Sequence, residues 1–286
     1  MAKLDPRVTP ARPDIAAAHL RGQVAADAYV EGRALHVCAG TADLRQGPAP
    51  DAPLDTQALF GEEVTLYEDH EGWGWVQLAR DGYVGYMAMA ALAEGQIKPT
   101  HRVTVNRSFV YPGPDVKIPA RDALPLGASV CVRATKGAFA QIGDAAFVFL
   151  GHLLPCGENQ KEFVAVAERL LHAPYLWGGK TSLGIDCSGL VQISLDAAGS
   201  DAPRDTDLQE HALGLPIAVG TDLAGLRRGD LVFWRGHVGI MRDKTMLLHA
   251  NAHRMLVASE PLRIARDRIL AKTSRSISAI KRLESA

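Results

Sequence analysis

The sequence predicts an α+β fold, with helices packed on an antiparallel sheet and two small β-barrels in front of it. Three observations predict it. Between about residues 32 and 150, short apolar runs alternate with Gly and Asp turns, at the spacing of small barrels. At Pro155 the apolar period lengthens to that of helices. Beyond residue 230 strand-like runs return. A chain of 286 residues has room for such a set of domains.

Taken in order, residues 1–30 form a Pro-rich arm, and Ile15 to Tyr29 carry Ala and Leu at spacings that predict a helix. A first barrel is expected over 31–96, from runs at Ala34–Cys38, Glu63–Tyr67, Gly74–Leu78 and Tyr83–Met87. A second is expected over 97–155, from His101–Val105, Phe109–Tyr111, Ser129–Arg133, Phe139–Ile142 and Ala146–Leu150. The final domain spans 156–286. It opens with a helix from Glu158 to His172, with Phe163, Val166, Leu170 and Leu171 on one side. After Cys187 an amphipathic run, Leu190 to Ala198, stops at Gly199, and Asp205 or Thr206 is placed to cap a short helix. Strands are expected at Asp230–Trp234, His237–Met241 and Thr245–His249, the last two joined by a tight turn, and a final strand at Ser274–Leu283.

A formal net charge of -1 gives no global attraction to nucleic acid or to anionic membranes, so neither is an expected partner. The four cysteines are dispersed and form no C-x-x-C pair, which argues against zinc and against a disulfide framework. No cofactor or metal is expected. Residues 1–14 lack an apolar secretory core, and the most apolar window, 145–154, is too short to span a bilayer. A cytoplasmic location is the expectation, and a reduced thiol suits it. Composition says nothing of oligomeric state.

The chemistry concentrates at Asp186-Cys187-Ser188-Gly189. A cysteine in the first turn of a helix faces unpaired N–H groups and the positive end of the dipole, which favours a thiolate. Such a nucleophile needs a base and a group to orient that base. Among ten histidines, His237 opens a strand and His249 ends the next across a hairpin, which brings them within side-chain reach. The plain alternatives are an inert buried thiol and satisfied imidazoles; His253 is a rival to His249.

Pro174-Tyr-Leu-Trp-Gly-Gly, Asp186-Cys-Ser-Gly-Leu, Gly236-His-Val-Gly-Ile and Leu248-His-Ala resemble, in order and spacing, the motifs of the NlpC family of papain-like cell-wall cysteine peptidases. The β-rich region resembles the bacterial SH3-like domains that precede such peptidases. The resemblance implies a papain-like fold and an endopeptidase cutting murein peptides between γ-D-glutamate and a diamino acid. With two SH3-like domains in front, it implies short substrates with a free N-terminal L-Ala, such as L-Ala-γ-D-Glu-diaminopimelate.

By position, the resemblance makes Cys187 the nucleophile, His237 the base and His249 the orienting residue. A bound ammonium needs acceptors, and Asp186, Ser188 and Asp205 lie near the cysteine in sequence; Asp205 also reads as a plain helix cap. Trp177 is expected as an apolar wall or as an ordinary core aromatic. Tyr83 looks like the family's tyrosine that reaches the catalytic site, although Val84 stands where proline is usual. Glu62 looks like a further acid for the amine, with Glu63 the alternative and surface charge the plain reading. An exported hydrolase of intact wall, a silent binding protein on the same fold, and an amidase or acyltransferase are the alternatives.

Overall fold

The computed structural model describes residues 4–220 and 222–283, so the ends of the first and last predicted segments lie outside the described residues. The chain divides into two compact units, 1–157 and 158–286.

In the first unit, seven strands form one sheet. Their spatial order is Leu54–Leu59, Thr41–Arg45, Val84–Ala88, Trp73–Leu78, Glu63–His70, Arg33–Val37 and Leu92–Glu94. Strand alternation turns Leu35, Val37, Leu44, Val64, Leu66, Val76, Leu78 and Met87 into one apolar core. The Thr41–Arg45 and Leu54–Leu59 strands went unpredicted because Asp, Thr and Gln interrupt their apolar pattern. A second β region, of five- and three-stranded sheets, closes over Val103, Val110, Leu124, Val130 and Val148. Phe60, in the turn after the Leu54–Leu59 strand, packs into that second core, and its carbonyl accepts the Ser129 N–H at 2.8 Å.

The helix expected from Ile15 to Tyr29 is absent. Ile15–Ala17 and Ala28–Val30 instead pair as parallel strands around one short turn of 3₁₀ helix. Gly22, at φ +82°, breaks the helical path. The arm gains more by lying on the barrel: Arg12 sits over the Trp75 ring at 4.6 Å and donates to the Tyr86 hydroxyl at 2.8 Å.

Among the described residues the second unit has four α-helices and a six-stranded antiparallel sheet. α1 (Phe163–Glu168) is shorter than the expected 158–172 helix. Glu162 caps it by accepting the Val164 and Ala165 N–H groups, and looser turns carry the chain on to residue 171. α2 (Cys187–Ala197) is buried over residues 187–196. α3 is Thr206–Ala212 and α4 is Leu262–Thr273. The sheet order is Leu215–Pro216, Ile277–Arg282, Leu231–Trp234, His237–Met241, Met246–Asn251 and Leu256–Pro261. α4 was missed because it is rich in Arg and Lys. Only Leu262, Ala265 and Ile269 mark its inner face, packed on Val232, Trp234, Met241 and Leu247.

Candidate active site

The loop before α2 is shaped by its glycines. Gly178 adopts φ +78°, and a Cβ on Gly179 would stand 2.3 Å from the Gly184 carbonyl oxygen. Only glycine allows that approach, which brings the Gly178 N–H to Asp186 Oδ2 at 2.9 Å. Asp186 is the N-cap of α2, accepting the Gly189 N–H at 2.7 Å. Arg204, 1% exposed, binds the same carboxylate through both Nη atoms, at 3.0 and 2.6 Å, and donates to Ser188 Oγ at 2.7 Å. Gln209 on α3 holds the Ser188 carbonyl at 3.0 Å. Asp186 and Ser188, expected to contact substrate, are thus engaged in holding the helix start. Arg204 was not singled out from the sequence, although it stands beside the Asp205 that was.

On the sheet, strand alternation puts His237, His249 and Glu260 on one face of three successive strands. His237 Nε2 lies 2.8 Å from His249 Nδ1, and His249 Nε2 lies 2.9 Å from Glu260 Oε1. Arg268 from α4 closes the series on Glu260 at 2.6 and 2.5 Å. His249 is fully buried, and burial lowers its pKa. Glu260 is kept ionised against the opposing effect of its burial by the bonds from His249 and Arg268. A carboxylate only accepts, so neutral His249 donates from Nε2 and presents a bare Nδ1. His237 must then donate from Nε2, which leaves its Nδ1 as the lone pair free for a proton. Glu260 and Arg268 were invisible to motif reading, because each acts only through the fold.

Cys187 is 7% exposed, with the Val238 N–H directed at its sulfur. Burial pushes its thiol up to about 12, with Asp186 adding to the effect against the Val238 N–H, Arg204 and the Ser188 N–H. Burial, with His249 and Arg268, pushes His237 down to about 3. The helix start favours the thiolate and the burial of the sulfur opposes it. Both shifts have burial as their largest cause and both favour the uncharged forms.

A pocket of about 380 Å³ begins at His237 and His249 and is walled by Tyr175 and Trp234. Trp177, expected as a wall, is 68% exposed and does not line that pocket. Asp205 is half-buried at the N-cap position of α3, with no side-chain bond to that helix's N–H groups. His253, the rival third residue, is exposed on the pocket, and His249 is the imidazole against His237. In the other unit, Tyr83 is 5% exposed within the first barrel's core and Glu62 is 9% exposed beside it. Among the described residues no group of three or more His, Cys, Asp or Glu is placed to hold a metal ion.

Residues 172–271 match the NlpC/P60 family, and residues 44–92 match the bacterial dipeptidyl-peptidase SH3 domain. A gamma-D-glutamyl-L-lysine dipeptidyl-peptidase of Bacillus subtilis is 28% identical over 236 residues, covering 73% of this chain and 76% of the relative. Dipeptidyl-peptidase 6 of Lysinibacillus sphaericus is 37% identical over 92 residues, 32% of each chain. A crystal structure of an NlpC/P60 family protein from Bacillus cereus superposes with a TM-score of 0.72 at 18% identity. It covers 87% of this chain and 99% of that one, a likeness of fold.

Proposed function

Because the carboxyl-terminal unit belongs to the NlpC/P60 family of cysteine peptidases, we propose that the protein is an endopeptidase that cuts the γ-D-glutamyl–diaminopimelate bond of murein peptides bearing a free N-terminal L-Ala. The observation that supports this most is the directed series from Glu260 through His249 to His237, which leaves one imidazole nitrogen as a base on the residue preceding Val238, whose N–H is directed at the sulfur of the helix-start Cys187.

In this reading Cys187 Sγ attacks the γ-carbonyl as His237 Nδ1 takes the thiol proton. The oxyanion is met by the Cys187 N–H at the start of α2. The imidazolium gives its proton to the leaving amine, and the peptide bond breaks to a thioester. Water, deprotonated by the now neutral His237, then releases L-Ala-γ-D-Glu and restores the thiol. Desolvation is no obstacle to this order of events, since the base needs only to hold the proton while the bond forms. Asp205, half-buried at the start of α3, is the carboxylate this reading assigns to the substrate's ammonium.

A free amino terminus exists only on peptides already detached from sugar, so the substrate is a turnover product and the setting is peptide recycling in the cytoplasm. No helix among the described residues is long and apolar enough to cross a membrane. The homologous B. subtilis protein is named for action at γ-D-glutamyl-L-lysine, a bond of the same type.

Incubation with L-Ala-γ-D-Glu-diaminopimelate should release the dipeptide, detected by mass spectrometry. Cys187→Ala should reduce release to background, and acetylating the substrate's amine should abolish it. Release by the Cys187→Ala protein, or equal cleavage of the acetylated peptide, would refute the corresponding part of the reading.

A further inference from the structure

The turn at Arg235-Gly236 places a second ring against His237. It is only two residues long, so it closes on Trp234 and His237 as directly opposed residues of the two strands. Opposed residues share a face of the sheet, and the indole is delivered beside the imidazole. Their ring centroids stand 5.7 Å apart in a contact tilted by 39°. His249 flanks the imidazole from the next strand, with ring centroids 5.0 Å apart. Trp234 is 1% exposed and belongs to the core that packs α4 on the sheet, which fixes its ring. The reaction as described uses His249 and gives Trp234 no part.

That reaction asks His237 to carry a positive charge from the attack of the thiol until the amine leaves. The surroundings oppose the charge. Burial disfavours it, and so do His249 and Arg268. Arg235, Lys272, Arg275 and His253 line the same pocket and add no negative charge. Tyr175 lines it too, and burial holds its hydroxyl protonated. Cys187 is met at the next residue, Val238, and gives up its proton in the same step. Glu260 favours the charge, but from beyond His249.

An indole face supplies what this list lacks. It attracts a cation within about 6 Å of its centroid, more strongly than the ring of Tyr or Phe, and most where water is excluded. A neutral imidazole gains far less from it. The contact therefore strengthens as the proton arrives, which is the condition for lowering a barrier. The indole N–H points the same way. It is buried and has no hydrogen-bond partner among the described residues. A buried indole ordinarily finds an acceptor, and an orphaned donor is costly. Phenylalanine would fill this strand position without that cost; what tryptophan adds is the richer face. We propose that Trp234 is a positioning residue for the base: it seats the His237 ring against His249 and stabilises the imidazolium through its π face. This rests on the peptidase reading and deepens it.

Fluorination tests the face without changing the shape of the ring, because each fluorine withdraws charge from the π system. The full chain is produced with tryptophan and with its mono-, di- and trifluorinated forms. The chain holds four tryptophans, so the same set is made in Trp234→Phe, where the other three are fluorinated alike. Two rates are measured. One is kcat, with KM, on L-Ala-γ-D-Glu-diaminopimelate. The other is alkylation of Cys187 by iodoacetamide, which needs His237 to accept the thiol proton but needs no peptide substrate. It is read on the Cys187 peptide by mass spectrometry, because Cys38, Cys131 and Cys156 are free thiols as well. With Trp234 present, kcat is expected to fall stepwise by about tenfold across the set at nearly constant KM, and alkylation to slow in parallel. In Trp234→Phe both rates should stay level across the set. Level rates with Trp234 present, or equal falls in both backgrounds, overturn the proposal. If no form of the protein cuts the peptide, the peptidase reading fails on its own. Alkylation then decides for Trp234: slowing confined to the Trp234 background supports the proposal, and level rates overturn it.

Discussion

Two arginine–carboxylate pairs, one fully buried and one with a partly exposed arginine, stand behind the site, and they hold different things. Arg204 and Asp186 stand behind the cysteine: among the described residues, the hydrogen-bond partners of that carboxylate are backbone N–H groups, Ser188 and Arg204. Arg268 and Glu260 stand behind the histidines, and one Glu260 oxygen is spent on His249 Nε2. The first pair fixes the path of a loop and the start of a helix. The second fixes which ring nitrogen carries a proton. The same ion-pair chemistry thus builds position on one side of the site and protonation state on the other.

The comparison breaks most readily at Arg204, 1% exposed. Arg204→Met leaves Asp186 buried without its cation and should destabilise by about 3–5 kcal/mol. Calorimetry should show the loss as a drop in the melting temperature of more than about 10 °C. A loss below about 1 kcal/mol would mean that the glycine loop and the cap hold the helix start without the pair.

Glu260→Gln should act differently. The side chain keeps its shape but loses the charge that keeps His249 donating and that steadies a charged His237. A charge-assisted hydrogen bond of this kind is worth about 1.5–3 kcal/mol, so kcat/KM should fall about 10- to 100-fold. The melting temperature should change far less than in Arg204→Met. Nitrogen-15 shifts of the His249 ring report the tautomer directly. Unchanged shifts and unchanged kcat/KM would reduce Glu260 to packing.

What could be read from the sequence follows the same division. Cys187, His237 and His249 sit in local patterns, a helix start and strand openings, and local patterns are visible in a chain. The fold class was legible for the same reason. Arg204, Glu260 and Arg268 were not, because each meets its partner across 8–18 residues of sequence and no periodicity marks them. α4 was hidden by its charge, and the arm's strands were hidden by alanine, whose helix preference yields to packing on the barrel. The burial that pushes the Cys187 thiol up was unreadable too, since burial is a property of the assembled unit.

A third arginine–carboxylate cluster, at the surface, sharpens what burial contributes. Glu168 at the end of α1 accepts from Arg228 at 2.9 Å and from Arg242 at 2.8 Å, with Arg228 also reaching the α1 cap, Glu162, at 2.8 Å. The geometry rivals that of Arg204 and Asp186, but the Arg228 and Arg242 side chains are 39% and 35% exposed. The bond from Arg228 holds the Glu168 carboxyl down to about 2, with burial opposing and Arg242 assisting. Because the folded pKa lies below the usual 4.5, this stabilisation is complete above that value and disappears as pH falls through about 2. Solvent screening limits it, so Glu168→Gln should cost about 1 kcal/mol or less at neutral pH. Chemical unfolding of the wild type and the variant should give curves that draw together between about pH 4.5 and pH 2. If Glu168→Gln instead costs as much as Arg204→Met, burial does not separate the three clusters, and the scaffold role assigned to Arg204 has to come from its bidentate geometry alone.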